Sequence, residues 1–268
     1  MPELPEVETI KNSLQANVGA RIKYIEIKRS DILKLRAFEL KEIHGKSLSS
    51  ISRKGKFLVL KMADKLNIAL HMGMSGRFFI KEENDEITEK HVHMIVYLDN
   101  GRKLLYQDPR RFGGVFLLRD TEEFFSRLGV EPLSRDFNPR YLEKISKNRK
   151  IAIKSLILKQ ELICGIGNIY ADEALFEAGV RPDRPAGSLK IDEFKALSRA
   201  IKKVLKKGIK YRGTTFRDYR DGFNQEGNFQ KHLQVYGKTG EKCPCCKAPL
   251  SRQIIGGRSS HYCGRCQT

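Results

Sequence analysis

The chain has 268 residues, enough for one large domain or for two ordinary domains with cores of their own. Its 51 Lys and Arg outnumber its 32 Asp and Glu, and the formal net charge of +19 creates a field that attracts polyanions. The charges are interspersed with apolar residues, which excludes a disordered basic tail, and no apolar run approaches the roughly 20 residues that span a bilayer. The N-terminus has no basic-then-apolar signal pattern, so we expect a cytosolic protein.

The first residues, MPELPEVETI, predict the start of a helix. Proline is well tolerated at the first helical position, and carboxylates in the first turn suit the positive end of the helix dipole. Val7, Ile10 and Leu14 then form one apolar stripe. Strand-like runs follow: RIKYIEI, KFLVLKM, LNIALHMGM, GGVFLL and HMIVYLDNGRKLLYQ, in which Asn-Gly predicts a hairpin turn. Their short connections predict an antiparallel sandwich or barrel over roughly residues 15–120.

After this region the apolar period changes to that of helices. RYLEKI, AIKSLILKQE, GNIYADEALFEAG and IDEFKALSRAIKKVLKKGI are predicted helices, and the last has one apolar face. That face comprises Ile191, Phe194, Leu197, Ile201, Val204 and Leu205. A stretch rich in Pro and Gly, about residues 120–140, is the predicted linker. The polar, glycine-rich stretch RGTTFRDYRDGFNQEGNFQ is a predicted mobile loop.

Two Cys-x-x-Cys pairs close the chain and predict a metal site. The four residues are Cys243, Cys246, Cys263 and Cys266. Four thiolates at this spacing fit a tetrahedral zinc ion in a ribbon of hairpins, and a site closed by four protein ligands is structural. A chance arrangement or a redox pair is the alternative. Cys245 falls outside the paired spacing, and the basic hairpin between the pairs would present Arg258 to a phosphate.

The run LICGIGNIYADE has two interpretations. Gly165 and Gly167 predict a tight turn, and Asn168 stands where the next helix begins. The free amides of that helix start could bind a phosphate. Alternatively, the run is an ordinary packing turn in which Asn168 is the N-cap.

DPRRFGG places two arginines beside a phenylalanine in a loop that follows a strand. An exposed Arg–Phe pair could enter a base stack, whereas the ordinary alternative puts Phe112 in the core beside solvated arginines. Met74 has a similar alternative, because it ends an alternating apolar strand. Lys56 lies where a turn meets a strand, a position at which lysines are usually solvated.

Taken together and in order, these motifs resemble one family. MPELPEVET, RKGKFL, HMGMSG, EKHVH, DPRRFGG, GIGNIYADE, LQVYGKTGEKC and the terminal cysteines are similar to the formamidopyrimidine-DNA glycosylases. The resemblance implies an α+β multidomain fold with an N-terminal helix, an antiparallel β-sandwich, a helical domain with a helix–two-turn–helix, and a zinc ribbon with four cysteine ligands. It implies a catalytic domain over 1–130, a helical domain over 131–235 and a zinc finger over 236–268.

The resemblance also implies catalytic roles for five residues. Once Met1 is removed, the secondary amine of Pro2 would attack C1′ of the damaged nucleotide and form a Schiff base. Glu3 matches the family's proton donor in base release, and Glu6 matches an acid that supports the terminus. Lys56 and Arg258 match the acids of β- and δ-elimination.

A second set of positions matches residues that contact DNA. By resemblance, Met74, Arg110 and Phe112 fill the gap left when the damaged base is extruded, and Arg110 could bond the orphaned cytosine. The positions that match backbone contacts are His91, Arg149, Lys154 and Asn168. The chain departs from the family at Val92, where an acid is usual, and in the loop 217–230 that would cover the extruded base.

The function that this resemblance implies is a bifunctional DNA glycosylase and AP lyase of base-excision repair. It would remove 8-oxoguanine and formamidopyrimidines from damaged double-stranded DNA as a monomer in the bacterial cytoplasm, near the nucleoid, with one structural zinc ion. An endonuclease VIII-like enzyme for oxidised pyrimidines is the nearest alternative, and the leucine of PELPE favours the first class. A non-catalytic zinc DNA-binding protein is the other, but it has no need of Pro2 beside Glu3.

Overall fold

The computed structural model describes residues 1–268 and divides them into two compact units. Unit 1 comprises residues 1–126 and 211–230, and unit 2 comprises residues 127–210 and 231–268. Residues 211–230, which the sequence analysis assigns to the helical domain, group with unit 1. The three domain ranges given above stay a prediction.

Unit 1 begins with helix α1 (Leu4–Leu14), followed by nine strands in two sheets. The strands are β1 (Ile22–Ile27), β2 (Leu33–Arg36), β3 (Leu48–Lys54), β4 (Phe57–Met62), β5 (Asn67–His71), β6 (Arg77–Glu82), β7 (Val92–Leu98), β8 (Arg102–Gln107) and β9 (Gly114–Leu118). One sheet has the order β1-β7-β8-β6 and the other β2-β9-β5-β4-β3. The predicted sandwich is therefore confirmed.

One strand pair corrects the expectation of a wholly antiparallel sandwich. Strands β2 and β9 are parallel, with Leu33 opposite Val115, while every other pair is antiparallel. Parallel neighbours need a long connection, and the intervening strands and loops between β2 and β9 provide one. A pattern of short hairpins could not reveal such a pairing, because the partners are far apart in sequence.

The core of unit 1 lies between the two sheets and under α1. Leu58, Leu70 and Val115 of one sheet pack in the same cluster as inward residues of the other. Those residues include Phe78, Met94, Val96 and Leu104. The apolar stripe predicted for α1 is confirmed, because Val7, Ile10 and Leu14 are fully buried in this cluster. Burying that stripe fixes where the helix start, and therefore the N-terminus, lies on the unit.

The segment after the last strand of the sandwich contains a helix that the linker prediction missed. Helix α2 (Thr121–Phe125) is capped by Asp120, whose carboxylate accepts from the amides of Glu122 and Glu123. Its Phe124 and Phe125 pack with Phe57 against the outer face of the five-stranded sheet.

Unit 2 contains four helices and one hairpin. They are α3 (Pro139–Ser146), α4 (Ile153–Ile157), α5 (Asn168–Ala178), α6 (Ile191–Lys210), β10 (Ser251–Ile255) and β11 (Arg258–Tyr262). The predicted helix AIKSLILKQE is shortened to α4, and Ile191, assigned to the apolar face of α6, is 42% exposed. The other five residues of that face are buried. None of the helices combines the length and the apolar character needed to cross a membrane.

Candidate active site and nucleic-acid interface

The start of α1 holds two buried carboxylates immediately after the N-terminus. Glu3 is the N-cap residue and Glu6 the third helical residue, and they are 3% and 2% exposed. Glu6 Oε2 accepts from the Glu3 amide at 2.9 Å, and the Glu3 side chain accepts from the Glu6 amide. This reciprocal capping box fixes the direction of the chain at Pro2, which is buried just before it.

Glu6 also joins α1 to the segment 211–230 of the same unit. Its Oε1 accepts from the amide of Thr214 at 2.7 Å. Gly213 has a φ of +80°, and a Cβ there would lie 2.8 Å from Glu6 Oε1, so only glycine fits. The hydroxyl of Tyr219 donates to the Arg212 carbonyl at 3.1 Å and lies 3.4 Å from the Glu6 carbonyl. Burial, with the charge of Glu6, holds the pKa of this phenol well above its usual value.

The segment 211–230 has the irregular conformation predicted for it. It contains neither an α-helix nor a strand, and Asp221, 1% exposed, accepts from the amides of Phe223 and Gln225. Ile80 of β6 donates its amide to the carbonyl of Gly222. The segment is therefore a hydrogen-bonded loop attached to the sandwich, and its predicted mobility stays a prediction.

Lys56 lies at the turn between β3 and β4 and is 7% exposed, which rules out the solvated lysine considered above. The neighbouring residue that sequence reasoning missed is His71. Burial, together with the positive charge of Lys56, lowers the pKa of the His71 imidazole to about 4 against the opposing charge of Asp108. His71 Nδ1 accepts from the amide of Gly73 at 3.2 Å, as a neutral ring does. The HMGM motif contained this histidine, but its alternation indicated only a strand.

Met74, Arg110 and Phe112, called the wedge residues below, lie at the surface of unit 1. Met74 is 43% and Phe112 59% exposed, so the alternatives that place them in the core are wrong. The Arg110 guanidinium lies over the Phe112 ring, 4.7 Å from its centre. A flat cation stacked on an exposed aromatic ring presents planar surfaces to solvent, and planar surfaces stack well on bases.

The departure at Val92 has a structural reason. Val92 is buried in an apolar cluster with Phe79, Ile95 and Leu105, where a carboxylate would lack partners. His91 is exposed with a φ of +64°, and its carbonyl accepts from the amide of Asp108. The exposed imidazole of His91 therefore stands on a backbone that this hydrogen bond holds in place.

In unit 2, the residues assigned to DNA contacts or elimination differ in exposure and in hydrogen bonding. Arg149 and Arg258 are exposed, and Arg258 opens β11 after the turn Gly256-Gly257. Asn168 is the first residue of α5 and not its N-cap, which is Gly167. The Asn168 side chain donates to the carbonyl of Ser259 at 3.0 Å, so it supports the hairpin that carries Arg258.

Lys154 is the clearest departure from the expected interface. It is 0% exposed and forms an ion pair of 2.6 Å with Asp172, itself 1% exposed. Its ammonium group also donates to the Ser259 carbonyl at 2.7 Å and to Ser260 Oγ at 2.8 Å. A lysine without exposed surface does not reach a phosphate in this conformation. The direct phosphate contact stays a prediction, and in this structure the ammonium group of Lys154 supports the β10–β11 hairpin.

The terminal cysteines form a compact tetrad. The sulfur atoms of Cys243, Cys246, Cys263 and Cys266 lie within 4.8 Å of one another. Two of the separations are 3.8 Å and 3.4 Å, close to the about 3.8 Å expected between sulfurs that each lie about 2.3 Å from a tetrahedral zinc ion. Phe176, Val235 and Leu250 pack around the tetrad, and Cys245 is exposed outside it. These residues fit one structural zinc ion.

Comparison with known proteins agrees with this geometry. The family model described as formamidopyrimidine-DNA glycosylase N-terminal domain matches residues 1–115, and that of the H2TH domain matches residues 128–220. A formamidopyrimidine-DNA glycosylase from Syntrophomonas wolfei is 60% identical over 267 residues and covers 100% of both chains. The chain belongs to the formamidopyrimidine-DNA glycosylase family.

Solved structures of this family match the whole fold. The wild-type Lactococcus lactis enzyme in complex with DNA containing N7-benzyl-Fapy-dG has a TM-score of 0.91 and 34% identity, with 100% of both chains covered. The same enzyme, bound non-covalently to DNA with an AP site, has a TM-score of 0.89 and 33% identity, with 99% of both chains covered. The zinc-finger model found in FPG and IleRS matches residues 240–268, which confirms the zinc prediction. Formamidopyrimidine-DNA glycosylases are bifunctional glycosylases and AP lyases, so membership of the family disfavours both alternatives considered above.

Proposed function

We propose that this chain excises oxidised purines, chiefly 8-oxoguanine opposite cytosine and ring-opened formamidopyrimidines, from double-stranded DNA and then cleaves the strand by β,δ-elimination. The observation that carries the proposal is the start of α1, where Pro2 directly precedes the buried Glu3–Glu6 capping box. A DNA-binding protein without catalysis would not require that arrangement. The net charge of +19 supports a polyanionic substrate.

The first step is assigned to the Pro2 nitrogen. Met1 is 47% exposed, so an aminopeptidase can reach it, and its removal turns the Pro2 amide nitrogen into a secondary amine. A terminal amine has a pKa of about 8, so a useful fraction is neutral at neutral pH. The amine attacks C1′ of the damaged nucleotide and the base leaves with a proton from Glu3. The amine then loses its proton to the ring oxygen O4′ as the C1′–O4′ bond opens, and the resulting iminium ion is the Schiff base.

The later steps are assigned to lysine and arginine side chains. Loss of a proton from C2′ of the Schiff base expels the 3′-phosphate by breaking the C3′–O bond. Loss of the C4′ proton then expels the 5′-phosphate by breaking the C5′–O bond, and each leaving phosphate takes up a proton. Lys56, held beside His71, is assigned to the first of these steps and Arg258, at the exposed start of β11, to the second. Glu6 is assigned to keeping the terminus in place through its bonds to Glu3 and Thr214.

DNA binding is assigned to the exposed groups described above. The wedge residues fill the gap that base extrusion leaves, which offsets part of the few kcal/mol that unstacking costs. His91 and Arg149 are assigned to the DNA backbone directly, while Asn168 and Lys154 act through the hairpin that carries Arg258. The zinc ion, held by the four cysteines, stabilises the finger and takes no part in the reaction. We assign the protein to the bacterial cytoplasm, near the nucleoid, as a monomer.

A lesion panel tests this proposal. Duplexes containing 8-oxoguanine opposite cytosine, a formamidopyrimidine, thymine glycol or a preformed abasic site are incubated with the protein under identical conditions. We expect the two oxidised purines to be excised fastest and the abasic strand to be cleaved by β,δ-elimination. Glu3→Gln should lose base excision and retain some cleavage of the abasic site, which no longer needs base release. Preferential excision of thymine glycol would favour the endonuclease VIII-like alternative.

A further inference from the structure

A buried hydrogen bond lies directly behind the wedge residues, within the same unit. Ser75 Oγ donates to Asp108 Oδ1 at 2.6 Å, and the two residues are 3% and 0% exposed. Ser75 directly follows Met74, and Asp108 lies two residues before Arg110. This bond therefore connects the two chain segments that carry the wedge residues.

Further contacts of the same pair organise the loop 108–113. Asp108 Oδ2 accepts from the amide of Gly113 at 2.8 Å, and the Asp108 carbonyl accepts from the amide of Arg111 at 3.2 Å. Ser75 Oγ accepts from the amide of Arg110 at 3.2 Å, so this hydroxyl donates to one end of the loop and accepts from its middle. With Arg111 at a φ of +56°, the loop is a tight turn closed around Asp108.

The backbones of the two segments also touch. Gly73 has a φ of +57°, and a Cβ there would lie 2.4 Å from the amide nitrogen of Gly113 and 2.5 Å from the carbonyl carbon of Phe112. No side chain fits between them. The exposed side chains of Met74 and Phe112 are thus carried by two backbone segments that are in direct contact and are joined by buried hydrogen bonds.

We propose that Ser75 and Asp108 are positioning residues for base extrusion, holding Met74 and Phe112 at a fixed separation so that both enter the base stack together. The inference rests on the proposed function. If the two segments moved independently, the Met74 and Phe112 side chains would lose conformational entropy each time they entered the DNA. Because the backbone beneath them is rigid, little conformational entropy remains to be lost. The step that Ser75 and Asp108 support is therefore extrusion, and the chemistry at Pro2 does not depend on them.

The test uses Ser75→Ala and two substrates. One is a duplex with 8-oxoguanine opposite cytosine and 2-aminopurine beside it as a fluorescent reporter of extrusion, and the other carries a preformed abasic site. We expect extrusion and excision to slow about tenfold and abasic-site cleavage to change less than about twofold, because one buried hydrogen bond is lost. Ser13→Ala is the matched control, since Ser13 is a buried serine of the same unit whose hydroxyl donates to the Thr9 carbonyl, far from the wedge in sequence. It should behave as wild type on both substrates.

A double-mutant cycle separates positioning from general stability. If Ser75 acts through the wedge residues, Ser75→Ala in a Phe112→Ala background should cause no further loss of excision. Additive losses, or an equal loss on both substrates, would overturn the inference. Asp108→Asn should also slow extrusion, since its amide cannot accept from both Ser75 and Gly113, and its 2-aminopurine signal tests the inference if Ser75→Ala fails to fold. Wild-type protein inactive on both substrates would instead refute the proposed function.

Discussion

The amide of Glu3 donates to Glu6 Oε2 at 2.9 Å, while the other oxygen of Glu6 accepts from the amide of Thr214 at 2.7 Å. One buried carboxylate thus holds both the helix start that follows Pro2 and a segment 208 residues further along the chain. Pre-organisation of this kind is what a nucleophile at a chain terminus needs, because terminal residues are otherwise poorly ordered.

Removing that carboxylate should loosen the terminus. Glu6→Ala leaves two buried amides, those of Glu3 and Thr214, without acceptors, and we expect the free energy of unfolding to fall by about 2–5 kcal/mol. Urea denaturation measures this value, and Glu86→Ala, which removes an exposed carboxyl of the same unit, is the control with no expected change. A Glu6→Ala variant as stable as the control would contradict the structural role given to Glu6.

Binding to undamaged duplex DNA should depend steeply on salt. If about 5 phosphates are neutralised, log K should fall with log salt at a slope of about −4 to −5. Arg149→Ala and Arg258→Ala should each reduce that slope by about one, because both side chains are exposed. A slope near zero for the wild type would refute a DNA-backbone partner.

Lys154→Ala should behave differently from the two arginine variants. It removes the ammonium partner of the buried Asp172, which keeps its bonds to the amide and imidazole of His261, and we expect a loss of stability of about 3–5 kcal/mol in place of a simple change in slope. Comparing urea denaturation with the salt titration distinguishes the two effects. A Lys154→Ala protein of wild-type stability whose slope falls by one would restore the direct phosphate contact expected from the sequence.

The buried imidazole of His71 predicts a dependence of stability on pH. Its pKa is about 4 in the folded protein and about 6.5 in the unfolded chain, so the unfolded chain binds the proton first as pH falls. Stability from this residue is fully present above pH 6.5, is lost between about pH 6.5 and 4, and can reach about 3 kcal/mol. His71→Gln should show a smaller loss between pH 6.5 and 4.5 in urea denaturation, while His91→Gln, exposed, should match the wild type. Equal losses for all three proteins would contradict this assignment.

Zinc removal should act on the finger alone. Freshly purified protein should contain one zinc ion per chain, and chelation should abolish DNA binding, because binding free energy at such sites is folding free energy. Hydrogen exchange should then show rapid exchange over residues 240–268 and unchanged protection in strands β4, β5 and β7. Active protein without zinc, or a collapse of the strands on chelation, would contradict a purely structural site.

Local patterns predicted the elements of this protein well. The apolar stripe of α1, the Asn-Gly hairpin between β7 and β8 and the spacing of the four cysteines each depend on nearby residues, and all are present. The resemblance to the family identified the wedge residues. The apolar periodicity of the sequence alone would not have predicted that Met74 and Phe112 are exposed.

Features that depend on distant partners were beyond the sequence. The burial of Lys154 follows from Asp172 and from the hairpin at Ser259, more than 100 residues away. Likewise, nothing local indicates that Ser75 bonds to Asp108, because the two motifs containing them are separate in sequence. The backbone makes Gly167 the N-cap of α5, and the Asn168 side chain bonds to the distant Ser259 carbonyl.

Peptide mapping of a borohydride-trapped complex tests the central claim most directly. The protein is incubated with duplex DNA containing 8-oxoguanine, the Schiff base is reduced, and the modified residue is identified by mass spectrometry. We expect the DNA to be attached to the nitrogen of Pro2, with Met1 absent. A variant with one extra residue ahead of Pro2 should give no adduct and keep nearly wild-type affinity for undamaged duplex DNA, because the proposed backbone contacts lie elsewhere. Attachment to Lys56 or to any other side chain would contradict the account.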